Sequence, residues 1–97
     1  MSIPLRIIER PHSAGYSGVI RHASFRPELA PGDMWREPSL DAAGREAWMI
    51  VLPGGYVWCT TDKGWTVNGT APAVTVYPSI NVHGYWHGWI TDGQLVG

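Results

Sequence analysis

Residues 65–97 read Trp65-Thr-Val-Asn-Gly-Thr-Ala-Pro-Ala-Val-Thr-Val-Tyr-Pro-Ser-Ile-Asn-Val-His-Gly-Tyr-Trp-His-Gly-Trp-Ile-Thr-Asp-Gly-Gln-Leu-Val-Gly97. Two dipeptides punctuate this stretch, Asn68-Gly69 and Asp92-Gly93. Each is the signature of a type I′ hairpin turn, whose two central residues need positive φ. Between them, Trp86–Thr91 predicts a strand. Period-two alternation puts Trp86, Gly88 and Ile90 on one face and His87, Trp89 and Thr91 on the other. Val74–Tyr77 also alternates, with Val74 and Val76 sharing a face. Pro72 and Pro78 bracket it, which predicts a strand that is short or close to an edge.

Working outward, Ala47–Leu52 is a continuous apolar run ending at Pro53-Gly54-Gly55. That pattern suits a strand buried on both faces. Tyr56–Thr60 follows at once, so the two read as a hairpin. Asp62-Lys63-Gly64 supplies the next turn. Further upstream the signals weaken. Leu5–Glu9 and Ser17–Ala23 are weak strand candidates. Ser39–Glu46 has a possible N-cap and good helix formers, enough for one or two helical turns. Residues 26–38 carry Pro27, Pro31, Gly32 and Pro38 and predict a long irregular connection, a wrap over the sheet pinned by Trp35. The fold expected is all-β: a small single-domain barrel or sandwich of short antiparallel strands, with a long irregular loop in its first half. Residues 1–46 form N-terminal strands and the wrapping loop of that domain; residues 47–97 form its β-hairpin core.

Composition bounds the function. A chain of 97 residues is one small domain, and it buries roughly two thirds of its unfolded surface. Seven Lys and Arg against eight Asp and Glu leave a net charge of −1. That balance carries no electrostatic footprint for nucleic acid. The tryptophan-rich second half holds only Lys63, too little for stacking combined with backbone neutralisation. The single cysteine, Cys59, allows no internal disulfide. Residues 1–6 lack the basic start and apolar run of a secretory leader. No apolar run approaches the roughly 20 residues that span a bilayer. A cytoplasmic protein without a membrane partner is expected.

Six tryptophans are many for this length. They supply either core volume or an exposed aromatic surface for a partner. Tyr77, Tyr85, Trp86, His87 and Trp89 gather near one turn and one hairpin and form the candidate partner-binding group. Cys59, His83 and His87 are the candidate metal set, with Asp62 or Asp92 as a fourth ligand. Zinc takes four ligands in a structural site, or three and a water in a catalytic one. A nucleophile would need Cys59 or Ser79 beside a histidine. Gly54-Gly55 lacks the following helix and lysine of a phosphate loop.

One ordered pattern extends beyond these local signals. Trp65, Gly69, Pro72, Thr75 and Pro78-Ser79-Ile80, followed by His87-Gly88, Ile90, Gly93 and Leu95, resemble a family of small uncharacterised proteins common in bacteriophage and prophage genomes. Leu52-Pro53-Gly54-Gly55 and Trp58 resemble that family's lead-in. The resemblance covers residues 47–97. It implies a phage-type origin and a compact β-fold, with no established activity. Relatives carry cysteines upstream of the Trp-x-x-x-Gly segment and just before the His-Gly pair, which suggests a structural zinc. This chain departs from that: Trp86 precedes His87, and only Cys59 remains upstream. By analogy with small phage proteins, the expectation is a non-catalytic accessory protein that binds a host or phage protein, or a second copy of itself. No cofactor is expected. The alternatives are a zinc domain or metal-dependent enzyme built on Cys59, His83 and His87, and a minor structural virion protein.

Overall fold

The computed structural model describes residues 2–10, 29–40 and 46–97, with backbone alone for residues 38–40 and 46. All regular structure among these residues is β. The strands are β1 (Ser2–Pro4), β2 (Arg6–Ile7), β3 (Asp33–Leu40), β4 (Glu46–Val51), β5 (Val57–Cys59), β6 (Thr66–Asn68), β7 (Thr75–Val82), β8 (Trp86–Thr91) and β9 (Gln94–Val96). They form two sheets, β1-β9-β8-β7-β6 and β2-β3-β4-β5. The five-stranded sheet is antiparallel throughout. In the four-stranded sheet β3, β4 and β5 are antiparallel, while β2 runs parallel to β3. The two sheets remain separate, so of the two expected architectures the fold is a sandwich and not a closed barrel.

The core lies between the sheets. Met34, Ile50, Leu52 and Trp58 from one layer meet Val74, Val76, Ile80, Ile90 and Leu95 from the other. Each large apolar side chain taken fully out of water contributes about 1.5–3 kcal/mol. Leu5 joins this core from the single-residue link between β1 and β2. Its N–H donates to the Gly93 carbonyl at 2.8 Å, and the next N–H, on Arg6, donates to the Gly32 carbonyl at 2.8 Å. The chain thus steps from one sheet to the other within two residues.

The β8–β9 hairpin follows the sequence. Asp92 has φ 46° and Gly93 φ 76°, both positive as a type I′ turn requires. Trp86, Gly88 and Ile90 face inward, and His87, Trp89 and Thr91 face out. Gly88 is obligatory for packing: a Cβ there would run into the Trp86 ring and the Val96 carbonyl. The β4–β5 hairpin over Pro53-Gly54-Gly55 also forms as expected.

Two expectations are corrected and two are narrowed. Asn68-Gly69 is not a two-residue turn. Asn68 stays in β6 opposite Thr75, and the chain reverses over residues 69–74. A two-residue turn would set Pro72 opposite Trp65, and proline has no N–H for that ladder. The loop closes instead through an Ala73 N–H to Thr70 carbonyl bond of 2.8 Å.

β7 is not short. It runs eight residues through Pro78. Its pairing with β6 ends at Tyr77, and its register against β8 shifts between Val76 and Ile80. Pro78 therefore occupies an irregularity where one flank of the strand has lost its neighbour, the setting that tolerates proline.

Residues 33–38 are not a wrapping loop. They belong to β3, whose residues Met34–Glu37 pair with Ala47–Ile50. Pro38 sits in the register shift between Glu37 and Leu40. Trp35 is a strand residue with 1% exposure.

Finally, Ser39, Leu40 and Glu46 are strand residues, with Leu40 opposite Glu46. The helix expected over Ser39–Glu46 thus gives way to strand pairing at its two ends. Residues 41–45 and the Ser17–Ala23 candidate lie outside the described residues. Leu5–Glu9 reduces to β2 with short flanks.

Candidate functional site

The two sheets treat their outer faces differently. On the four-stranded sheet the outer face is buried: Trp35, Met49, Val51 and Val57 form a second apolar cluster, with Ile8, Leu29 and Cys59 against it. Asp33 and Glu37 share that side of β3 with Trp35 and are buried too. Both carboxylates are satisfied. Arg6 pairs with Asp33 at 2.7 Å, and the Ala30 N–H donates to the other Asp33 oxygen at 3.0 Å. Glu37 accepts the Trp35 indole N–H at 2.8 Å and the Arg10 Nε–H at 3.3 Å. These partners offset the desolvation that an unpaired buried carboxylate would incur.

On the five-stranded sheet the outer face is open. Register places Ser2 opposite Val96, and Val96 opposite Trp89. Val76 faces Ile90 across β7 and β8, and the residues that follow, Tyr77 on β7 and Trp89 on β8, are both exposed on the outer side, at the start of a shift in the β7–β8 register. Thr66 faces Tyr77 on the far flank. The row Val96–Trp89–Tyr77 is exposed: 37% for Val96, 48% for Trp89 and 73% for Tyr77. His87 lies beside it, its ring centroid 5.8 Å from that of Trp89 with the planes 31° apart. The outward strand residues of β1 and β6–β9 include no Lys, Arg, Asp or Glu.

The five candidate aromatic residues therefore divide. Tyr77, His87 and Trp89 come together on this face. Trp86 does not; it points inward and packs against the core, its ring over Gly88 and beside Gly97. Tyr85 is also elsewhere. It sits in the β7–β8 turn, closed by its own N–H to the Val82 carbonyl at 2.9 Å, with its ring 5.8 Å from that of Tyr56. Val96 is the member missed from sequence. A two-residue turn at Asp92-Gly93 counts back to it directly, pairing Thr91 with Gln94, Ile90 with Leu95 and Trp89 with Val96.

The metal candidates do not converge. Cys59 packs beneath the outer face of the four-stranded sheet, its Sγ 3.1 Å from Thr61 Oγ1. His87 stands on the outer face of the opposite layer, and His83 is exposed in the β7–β8 turn. Among the described residues no group of three or more His, Cys, Asp or Glu is placed to hold an ion. Asp92 is committed to the β8–β9 turn, its N–H donating to Thr75 Oγ1 at 2.9 Å.

Cys59 and His87 cannot meet as a nucleophilic pair across the sandwich. Ser79 does meet His87, with Nε2 3.4 Å from Oγ on the open face. That contact is long and exposed, and among the described residues no carboxylate orients the other ring nitrogen as a Ser-His-acid triad requires. Among the described residues no helix is long and apolar enough to cross a membrane. No protein-family model, curated protein or solved structure matches the chain.

Proposed function

We propose that this protein is a non-catalytic interaction module that captures a partner protein on the open face of its five-stranded sheet, with Trp89 as the anchor. The observation that carries this reading is the uncharged Val96–Trp89–Tyr77 row, exposed on a rigid sheet and flanked by His87. Trp and Tyr dominate binding energy where they occur at interfaces, because each buries a large rigid surface at little entropic cost. Lys and Glu, which interface cores exclude, are missing from the same face. Ser79, Asn81, Thr75 and Gln94 surround the aromatics with adaptable hydrogen-bonding groups. The order of motifs in residues 65–95 supports a phage or prophage setting, in which the partner is a host protein or another phage protein.

The test uses the intact protein as bait beside the single variants Trp89→Ala and Tyr77→Ala. A partner held by the wild type and lost by Trp89→Ala, with the variant's melting curve unchanged, supports the reading. Equal capture by both, or a Trp89→Ala chain that no longer folds, overturns it. Sedimentation of the bait alone separates the remaining case: concentration-dependent assembly lost in Trp89→Ala makes the partner a second copy, as in a structural virion component.

A further inference from the structure

The sandwich has a second surface feature, at the β6 edge of the five-stranded sheet. Where the edge strands β5 and β6 flank the gap between the layers, a groove of about 540 Å3 opens. Its volume falls within the roughly 300–1,000 Å3 of small-molecule sites. Trp48 and Trp65 line it, together with the threonines at 60, 61, 66 and 70, over small apolar residues. Among the described residues no charged side chain is part of the lining.

The aromatic elements are fixed in place. The Trp65 N–H donates to the Ser79 carbonyl at 3.2 Å, and the Trp58 ring meets Trp65 edge-on at 5.8 Å and 81°. Trp48 is held through its backbone: its N–H donates to Thr60 Oγ1 at 2.9 Å, and its carbonyl accepts the Thr60 N–H at 3.0 Å. Thr60 Oγ1 already accepts in that pair, so its own hydroxyl proton remains to be donated. Thr70, in the loop after β6, adds an exposed hydroxyl that both donates and accepts. Behind the Trp65 platform, the Trp58 indole N–H is buried without a partner, a kind of group that native interiors rarely leave unmatched.

Pre-positioned indoles, several hydroxyls and no charge define a ligand class. A phosphate or carboxylate would find no cation among the described lining residues, and a purely apolar molecule would leave the hydroxyls unmatched on binding. We infer that the groove is a binding site for a neutral saccharide, one ring lying against Trp65 or Trp48 while its hydroxyls exchange hydrogen bonds with Thr60 and Thr70. The groove borders the partner face only at β6, where Thr66 stands opposite Tyr77, and either site can stand if the other falls.

The experiment is an amide and indole NMR titration of the full chain with four neutral trisaccharides: maltotriose, cellotriose, chitotriose and galactotriose. The expected result is saturable shifts at the Trp48 and Trp65 indoles and at residues 60–71 with at least one of them, at concentrations up to about 10 mM. The variant Thr70→Val, altered only at an exposed position, keeps its melting temperature and binds that sugar roughly fivefold or more weakly. Adenosine, a neutral stacking ligand, runs in parallel. No saturable shift with any of the four sugars overturns the inference. So do shifts confined to Trp89 and its neighbours, or groove shifts produced by adenosine alone.

Discussion

The outer faces of the two sheets begin from the same period-two strand geometry and end as opposites. Behind β3, β4 and β5 the outer face carries Trp35, Met49, Val51 and Val57 and is buried. Behind β7, β8 and β9 it carries Tyr77, Trp89 and Val96 and is open. The sequence pattern records the difference. β4 is apolar from Ala47 to Val51 because both of its sides are buried, whereas β8 alternates because one side meets water. The lesson is that a large apolar residue is informative only with its strand neighbours. Trp35 beside Met34 marks a strand covered twice, while Trp89 between Gly88 and Ile90 marks one covered once.

That contrast can be broken experimentally. The largest effect is expected at Trp35, where substitution by Ala removes the biggest side chain of the second cluster. A loss of about 3–5 kcal/mol by chemical denaturation is expected, enough to unfold a marginal domain; a loss under about 1 kcal/mol would mean this face is not a working core. Gly88→Ala comes next. Its Cβ meets the Trp86 ring and the Val96 carbonyl, so a cost of about 1–3 kcal/mol is expected from overpacking. A neutral result would place the Trp86 ring elsewhere.

Glu37 sharpens the picture through two replacements. Glu37→Leu strips the acceptor from the buried Trp35 N–H and should cost about 1–3 kcal/mol. Glu37→Gln keeps an acceptor and loses only the charge paired with half-exposed Arg10, so about 1 kcal/mol or less is expected. Equal losses from both would shift the weight from the indole to the ion pair. Trp89→Ala should move stability least, by under about 0.5 kcal/mol, while abolishing partner capture.

Much of the second half was legible because its contacts are local. The β8–β9 hairpin needs only Asp92-Gly93 and alternation, and those same two features place Trp89 and Val96 side by side. Even the inward turn of Trp86 follows from its parity with Gly88 and Ile90. Grouping it with Trp89 because they are near in sequence overrode that parity. β3 was illegible for a different reason. Pro38 and the preceding Pro31-Gly32 argue against a strand, and only pairing with β4 makes Asp33–Leu40 one. The buried roles of Asp33 and Glu37 depend on Arg6 and Arg10, each 27 residues upstream, a distance no local pattern crosses. The Trp48–Trp65 groove likewise exists only where two sheets come together.

The one-residue passage through Leu5 also governs how the layers can move. With β1 in one sheet and β2 in the other, that side of the sandwich is bound like the spine of a book. Sliding of one layer over the other is resisted there by covalent chain, which does not yield as side-chain contacts do. The opposite margin, between β5 and β6, is joined by the longer segment of residues 60–65. The groove therefore lies at the margin where the covalent tie between the layers is the longer of the two.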